Sequence, residues 1–102
     1  MSLPPTETLE RLAAAGIQLL PTSDIATHYV FERGGFIAMV ERLDHGFGTI
    51  GSPGLLTEWG FAALVWRQGK PWFVAKAHEY PAKDEQVEEA RRFAADLEAA
   101  LR

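Results

Sequence analysis

Two stretches rich in aromatic and β-branched residues, Thr27 to Leu43 and Trp59 to Ala77, each hold a tight-turn signal near the middle, Gly34-Gly35 in the first and Gln68-Gly69 in the second. Two-residue loops favour the mirror-image turns whose twist matches that of the flanking strands, so both stretches read as β-hairpins with a fixed register. In the first, Arg33 falls opposite Phe36, Phe31 opposite Ala38 and Tyr29 opposite Val40. The other face then carries Glu32 with Ile37, Val30 with Met39 and His28 with Glu41. In the second, Arg67 falls opposite Lys70, Val65 opposite Trp72, Leu64 opposite Phe73 and Ala63 opposite Val74. Phe61, Ala63, Val65, Trp72 and Val74 share one face, and Ala62, Leu64, Trp66, Phe73 and Ala75 the other. Both faces of this hairpin are apolar, the pattern of strands covered on two sides.

The rest of the chain offers little to cover two faces. From about Pro81 onward Val87, Ala90, Ala94, Leu97 and Leu101 recur at helical steps, with Phe93 widening the stripe and Asp84 and Glu85 suited to the positive end of the helix dipole. Glu88 with Arg92 and Glu98 with Arg102 add four-residue ion pairs. Near the start, Pro4-Pro5 followed by Leu9, Leu12 and Ala13 predicts a short helix over about residues 5–15. Gly16 stops it, and Ile17 folds back on Leu12. Residues 18–25 form a connector, with a short edge strand at Ile17 to Leu20. These elements predict a single α+β domain over 1–102: an antiparallel sheet of about 4–5 strands built from the two hairpins, with an N-terminal and a C-terminal helix packed on it. If both helices take one face, the other is left as an apolar patch, which a homodimer would cover by sheet faces or edges. Helices on opposite sides are the competing solution. Trp66, beside the second turn, is the first choice for an intersubunit contact.

Between the hairpins, Gly46, Gly48 and Gly51 have the spacing G-x-G-x-x-G. A dinucleotide fingerprint needs a helix to start in the glycines, and Ser52-Pro53-Gly54 interrupts one. A kinase glycine loop needs a lysine strand, H-R-D and D-F-G elements that are absent. The segment therefore reads as a bending connection of roughly 15 residues with a short strand at Phe47 to Ile50. The functional alternative is a ligand-binding loop whose amides form a small anion nest.

A formal charge of −4, with no basic stripe, argues against nucleic acid as a partner. The absence of cysteine excludes disulfides, thiolate catalysis and cysteine-bound zinc. No apolar run approaches the roughly 20 residues of a membrane span, which makes a cytoplasmic location the default. If both tight turns lie at one end of the sheet, His28, His45 and His78 share the opposite rim with Glu41, Asp44, Glu58 and Glu79. Imidazoles and carboxylates there are candidates for acid–base work or for a metal, although nothing resembles H-E-x-x-H and no cofactor or metal is assigned. Ser23 and Ser52 lack the setting of a nucleophile elbow. Trp59, Trp66 and Trp72 read as pocket lining or as core and interface anchors. The leading expectation is a non-enzymatic interaction or ligand-binding module acting as a homodimer, with Gly46, Gly48, Gly51, Trp59 and Trp66 as ligand-binding candidates and an unknown small molecule or protein as partner. The alternative is a small acid–base or metal-dependent enzyme using His28, Glu41, Asp44, His45 or His78.

Overall fold

The computed structural model describes residues 4–20, 27–44, 46–58 and 60–102. Helix α1 (Thr6–Ala14) is followed by β1 (Gln18–Leu20), β2 (His28–Arg33), β3 (Phe36–Leu43), β4 (Gly46–Ile50), β5 (Gly54–Thr57), β6 (Gly60–Arg67), β7 (Lys70–Ala75), β8 (His78–Pro81) and helix α2 (Asp84–Leu101). All strands join one antiparallel sheet in the order β1-β2-β3-β5-β6-β7-β8, with β4 also paired to β3. The fold is α+β.

Both hairpins have the register their turns dictate, from His28 opposite Glu41 to Arg33 opposite Phe36 and from Ala63 opposite Val74 to Arg67 opposite Lys70. Gly34 and Gly35 take φ of 61° and 90°, and Gln68 and Gly69 take 51° and 76°, so both loops have the positive dihedrals of a mirror-image turn.

The expected 4–5 strands undercount the eight present among the described residues. The expected strand at Phe47 to Ile50 is present as β4, and part of the difference is that the glycine segment continues past it as β5. The segment runs beside β3 as one interrupted strand: Gly51 donates its N–H to the Met39 carbonyl at 2.8 Å and Leu56 donates to the Gly35 carbonyl at 2.7 Å. Gly51-Ser52-Pro53 breaks the ladder between β4 and β5, as proline's missing N–H requires. The remaining strand, β8, returns from β7 through Lys76-Ala77, where Lys76 has φ of 51°.

Both helices lie on one side of the sheet, so the opposite-sides arrangement is not the one adopted. Leu12 and Ile17 at the α1 end and Ala90, Phe93, Leu97, Ala100 and Leu101 of α2 share a buried core with Phe31, Phe36, Ala38, Val40, Ala62, Phe73 and Ala75. The end of α1 is a Schellman motif: Gly16, at φ of 74°, donates to the Ala13 carbonyl and Ile17 to the Leu12 carbonyl at 2.9 Å. Arg11 then donates from Nε to the Ala100 carbonyl at 2.9 Å, giving one of α2's terminal carbonyls a partner. Arg33 ties the sheet to both helices, donating to the Ala15 carbonyl at 3.1 Å, pairing with Asp96 at 2.8 Å and lying over the Phe93 ring.

Candidate interaction surface

Directly opposed residues share a face, which lets the uncovered side of the sheet be read row by row. One row crosses the whole sheet: Gln18, Glu32, Ile37, Gly54, Ala63, Val74 and Glu79. It is polar at both ends and apolar in the middle. Two residues further along, the same face carries Leu20, Val30 and Met39 in one half and Val65, Trp72 and Pro81 in the other.

Gly54 is a contact point within this face. A Cβ there would collide with the Phe61 ring and the Ala62 carbonyl, so Phe61 lies across the position where the glycine has no side chain. Burial differs along the surface. Val30 and Ile37, at 4% and 5% exposed, are already covered within one chain, whereas Met39, Ala63, Val65, Trp72 and Val74 are half-buried and Phe61 and Leu56 stand open at 36% and 52%. The expected patch is therefore centred on the β5–β7 half of the sheet, not on Val30 and Ile37.

The edges are poorly suited to pairing. Strand β1 has three residues and β8 four. Because Ala82 donates to the Pro71 carbonyl at 3.0 Å, alternation turns the backbone groups of Glu79 and Pro81 outward, and Pro81 has no N–H to give. Short edges bearing proline and charge resist strand addition.

The sequence-derived candidates do not gather at one rim. Because β4 and β5 insert a strand between the hairpins, the second hairpin is inverted relative to the first. The Gly34-Gly35 turn shares its end of the sheet with His78, while the Gln68-Gly69 turn shares the other end with His28. Five strand spacings of about 4.8 Å also separate β2 from β8. The shared-rim expectation is corrected on both counts. His28 is half-buried, with Nδ1 2.8 Å from the Thr27 hydroxyl, and faces exposed Glu41 across the hairpin. Asp44 is exposed in the turn before β4. His45, Trp59 and Ser23 lie outside the described residues. Among those described, no group of three or more metal-ligating side chains is placed to hold an ion, and no helix is long and apolar enough to cross a membrane.

The glycines have local roles. Gly46 opens β4 at φ of 141°, Gly48 lies under the Glu41 side chain where a Cβ would collide, and Gly51 sits 3.1 Å, at its missing Cβ, from the Met39 carbonyl. Beside them, on the helix side, Arg42 stacks over the Tyr29 ring at 4.4 Å, and Tyr29 packs on Phe47. Trp66 is exposed at 54%, also on the helix side.

A cleft of about 470 Å³ opens on that helix side where α2 leaves the sheet, lined by Leu55, Thr57, Phe73, Tyr80, Lys83 and Gln86 among others. Sequence reasoning did not find it. Its walls come from β5, β7, β8 and the first turn of α2, and two of those strands carry no strong sequence signal. No protein-family model, no curated protein and no solved structure matches this chain.

Proposed function

We propose that this protein is a non-enzymatic interaction module that works as a homodimer, joined face to face through the uncovered side of its sheet. One observation carries the reading: both helices pack on the same face, leaving Phe61, Leu56 and the half-buried Met39, Ala63, Val65, Trp72 and Val74 on the other. Monomers seldom leave such a contiguous apolar face open, and the blunt edges make strand addition the poorer route. Size also bears on the matter. Seven strands about 4.8 Å apart, each of about five residues at 3.3 Å, give a face on the order of 500 Å² in projection. A standard interface takes about 800 Å² of accessible surface from each partner. A corrugated face exceeds its projection, so the dimer needs most of the sheet and not the second hairpin alone.

The enzyme alternative has less support, since His28 and His78 stand at opposite ends and opposite halves of the sheet and do not converge. Within the module reading, the cleft beside Tyr80 and Lys83 is the place for a small-molecule ligand, its volume falling inside the range of about 300–1,000 Å³ typical of such sites.

Sedimentation velocity over a range of concentrations tests the dimer. The wild type sediments as a dimer at micromolar concentration, and Val65→Glu, which puts a charge in the middle of the face, weakens association at least about 100-fold while circular dichroism stays native. Val65 is only half-buried in the single chain, so the variant folds. A wild type that remains monomeric at all concentrations would overturn the proposal.

A further inference from the structure

The uncovered face carries charge at its margins, and the charge is arranged by half. Glu41 lies on β3 four residues beyond Ile37, and Arg67 lies on β6 four residues beyond Ala63. Ile37 and Ala63 flank Gly54 in the same row, on either side of β5. Strands β3 and β6 run in the same direction, so Glu41 and Arg67 lie on the same face toward the same end of the sheet, to either side of the column that β4 and β5 share. His28 and Lys70 lie outward of them on β2 and β7. On this face β2 and β3 carry Glu32, Glu41 and His28, and β6 and β7 carry Arg67 and Lys70, with Glu79 beyond them on β8. No salt bridge among the described residues engages Glu32, Glu41 or Lys70, although Glu32 accepts hydrogen bonds from Gln18 and the Gly35 N–H; Arg67, 50% exposed, pairs with Glu79 of its own chain at 2.8 Å.

A two-fold axis lying between two facing sheets exchanges the halves only if it runs along the strands. An axis across the strands would set the acidic corner against the Gly34-Gly35 end of the partner instead. Resting on the face-to-face reading above, we infer that the two copies are related by a two-fold axis parallel to the strands and passing over β5, so that Glu41 of each copy meets Arg67 of the other. The same operation sets the half-buried Met39 against Val65 and brings the two Phe61 rings, each lying over Gly54 of its own chain, beside the axis. Mean strand directions then stay within the roughly 30° of aligned sheet packing, and the spacing of about 10 Å between sheets is one that an arginine and a glutamate can span together.

Glu41→Arg and Arg67→Glu test the axis. Each variant alone places like charges at both symmetry-related contacts and is expected to self-associate at least fivefold more weakly than the wild type. Mixed in equal amounts they form a heterodimer with opposite charges at both contacts, restoring wild-type affinity, and the double variant restores the homodimer. Native mass spectrometry with one chain isotope-labelled counts the heterodimer. Both side chains are exposed, so folding is not at risk. A dimeric wild type whose single variants associate as tightly as it does, or whose mixture gives only a statistical share of heterodimer, overturns the axis and leaves the face reading standing. A monomeric wild type removes both.

Discussion

Gln68 occupies a left-handed conformation, φ 51°, at the first position of a turn whose second position is Gly69. A side chain with a Cβ is strained there by about 1–2 kcal/mol, and asparagine tolerates the region better than glutamine because its short amide can bond locally. Gln68→Asn converts the loop to the Asn-Gly pair that mirror-image turns prefer and is expected to stabilise the fold by about 0.5–1 kcal/mol. Urea titration checks this: the midpoint rises and the slope does not change. Gln68 is exposed, so the gain comes from backbone conformation alone. The same residue explains why this hairpin was legible in the sequence. Gln68-Gly69 and Gly34-Gly35 are two-residue loops, and such a loop fixes every pair behind it, down to His28 with Glu41. The turn Lys76-Ala77 does the same for β8 without a glycine, through Lys76 at φ 51°, and so leaves no mark in the sequence.

At the scale of elements, the hairpins and both helices followed from periodicity and the strand at Phe47 to Ile50 was expected, while its continuation β5, which bridges the two hairpins, escaped. Gly51, Pro53 and Gly54 look like loop residues, yet each has a sheet role: a ladder bond to Met39, a break, and room for Phe61. An added strand reverses the polarity of everything after it. That is why the faces of the second hairpin were read correctly while the ends were not, and why the histidines separated. How the helices would attach was also hidden, because it depends on Arg33, a residue at a hairpin tip with no helical signature. Arg33 holds the Ala15 carbonyl after α1 and Asp96 on α2, with its side chain 24% exposed. Arg33→Met retains the aliphatic stem and loses both bonds, for an expected cost of about 1.5–3 kcal/mol. Asp96→Asn removes only the exposed ion pair and should cost about 0–1 kcal/mol. Thermal melts of the two variants give the order; equal losses would mean that the carbonyl bond contributes nothing.

For the whole molecule, the proposed dimer gives the placing of both helices on one face a consequence: stability and assembly would be coupled. The core of a single chain is complete on the helix side, where Phe31, Phe73, Phe93 and Leu97 are all at most 1% exposed. In the proposed dimer the other side is completed by a partner that binds the folded state and not the unfolded one, so mass action is expected to appear in the melting temperature. Above the dissociation constant, each tenfold rise in protein concentration adds about 1.4 kcal/mol per dimer, or about 0.7 kcal/mol per chain. For a domain of this size that corresponds to a rise of roughly 3–5 °C in Tm. Calorimetric scans from low micromolar to near millimolar concentration should show this slope for the wild type and none for Val65→Glu, whose Tm should match that of the wild type diluted well below its dissociation constant. A wild-type Tm independent of concentration, with Val65→Glu simply lower throughout, would mean that the face is closed within one chain and that the substitution acts on the fold instead of on a partner.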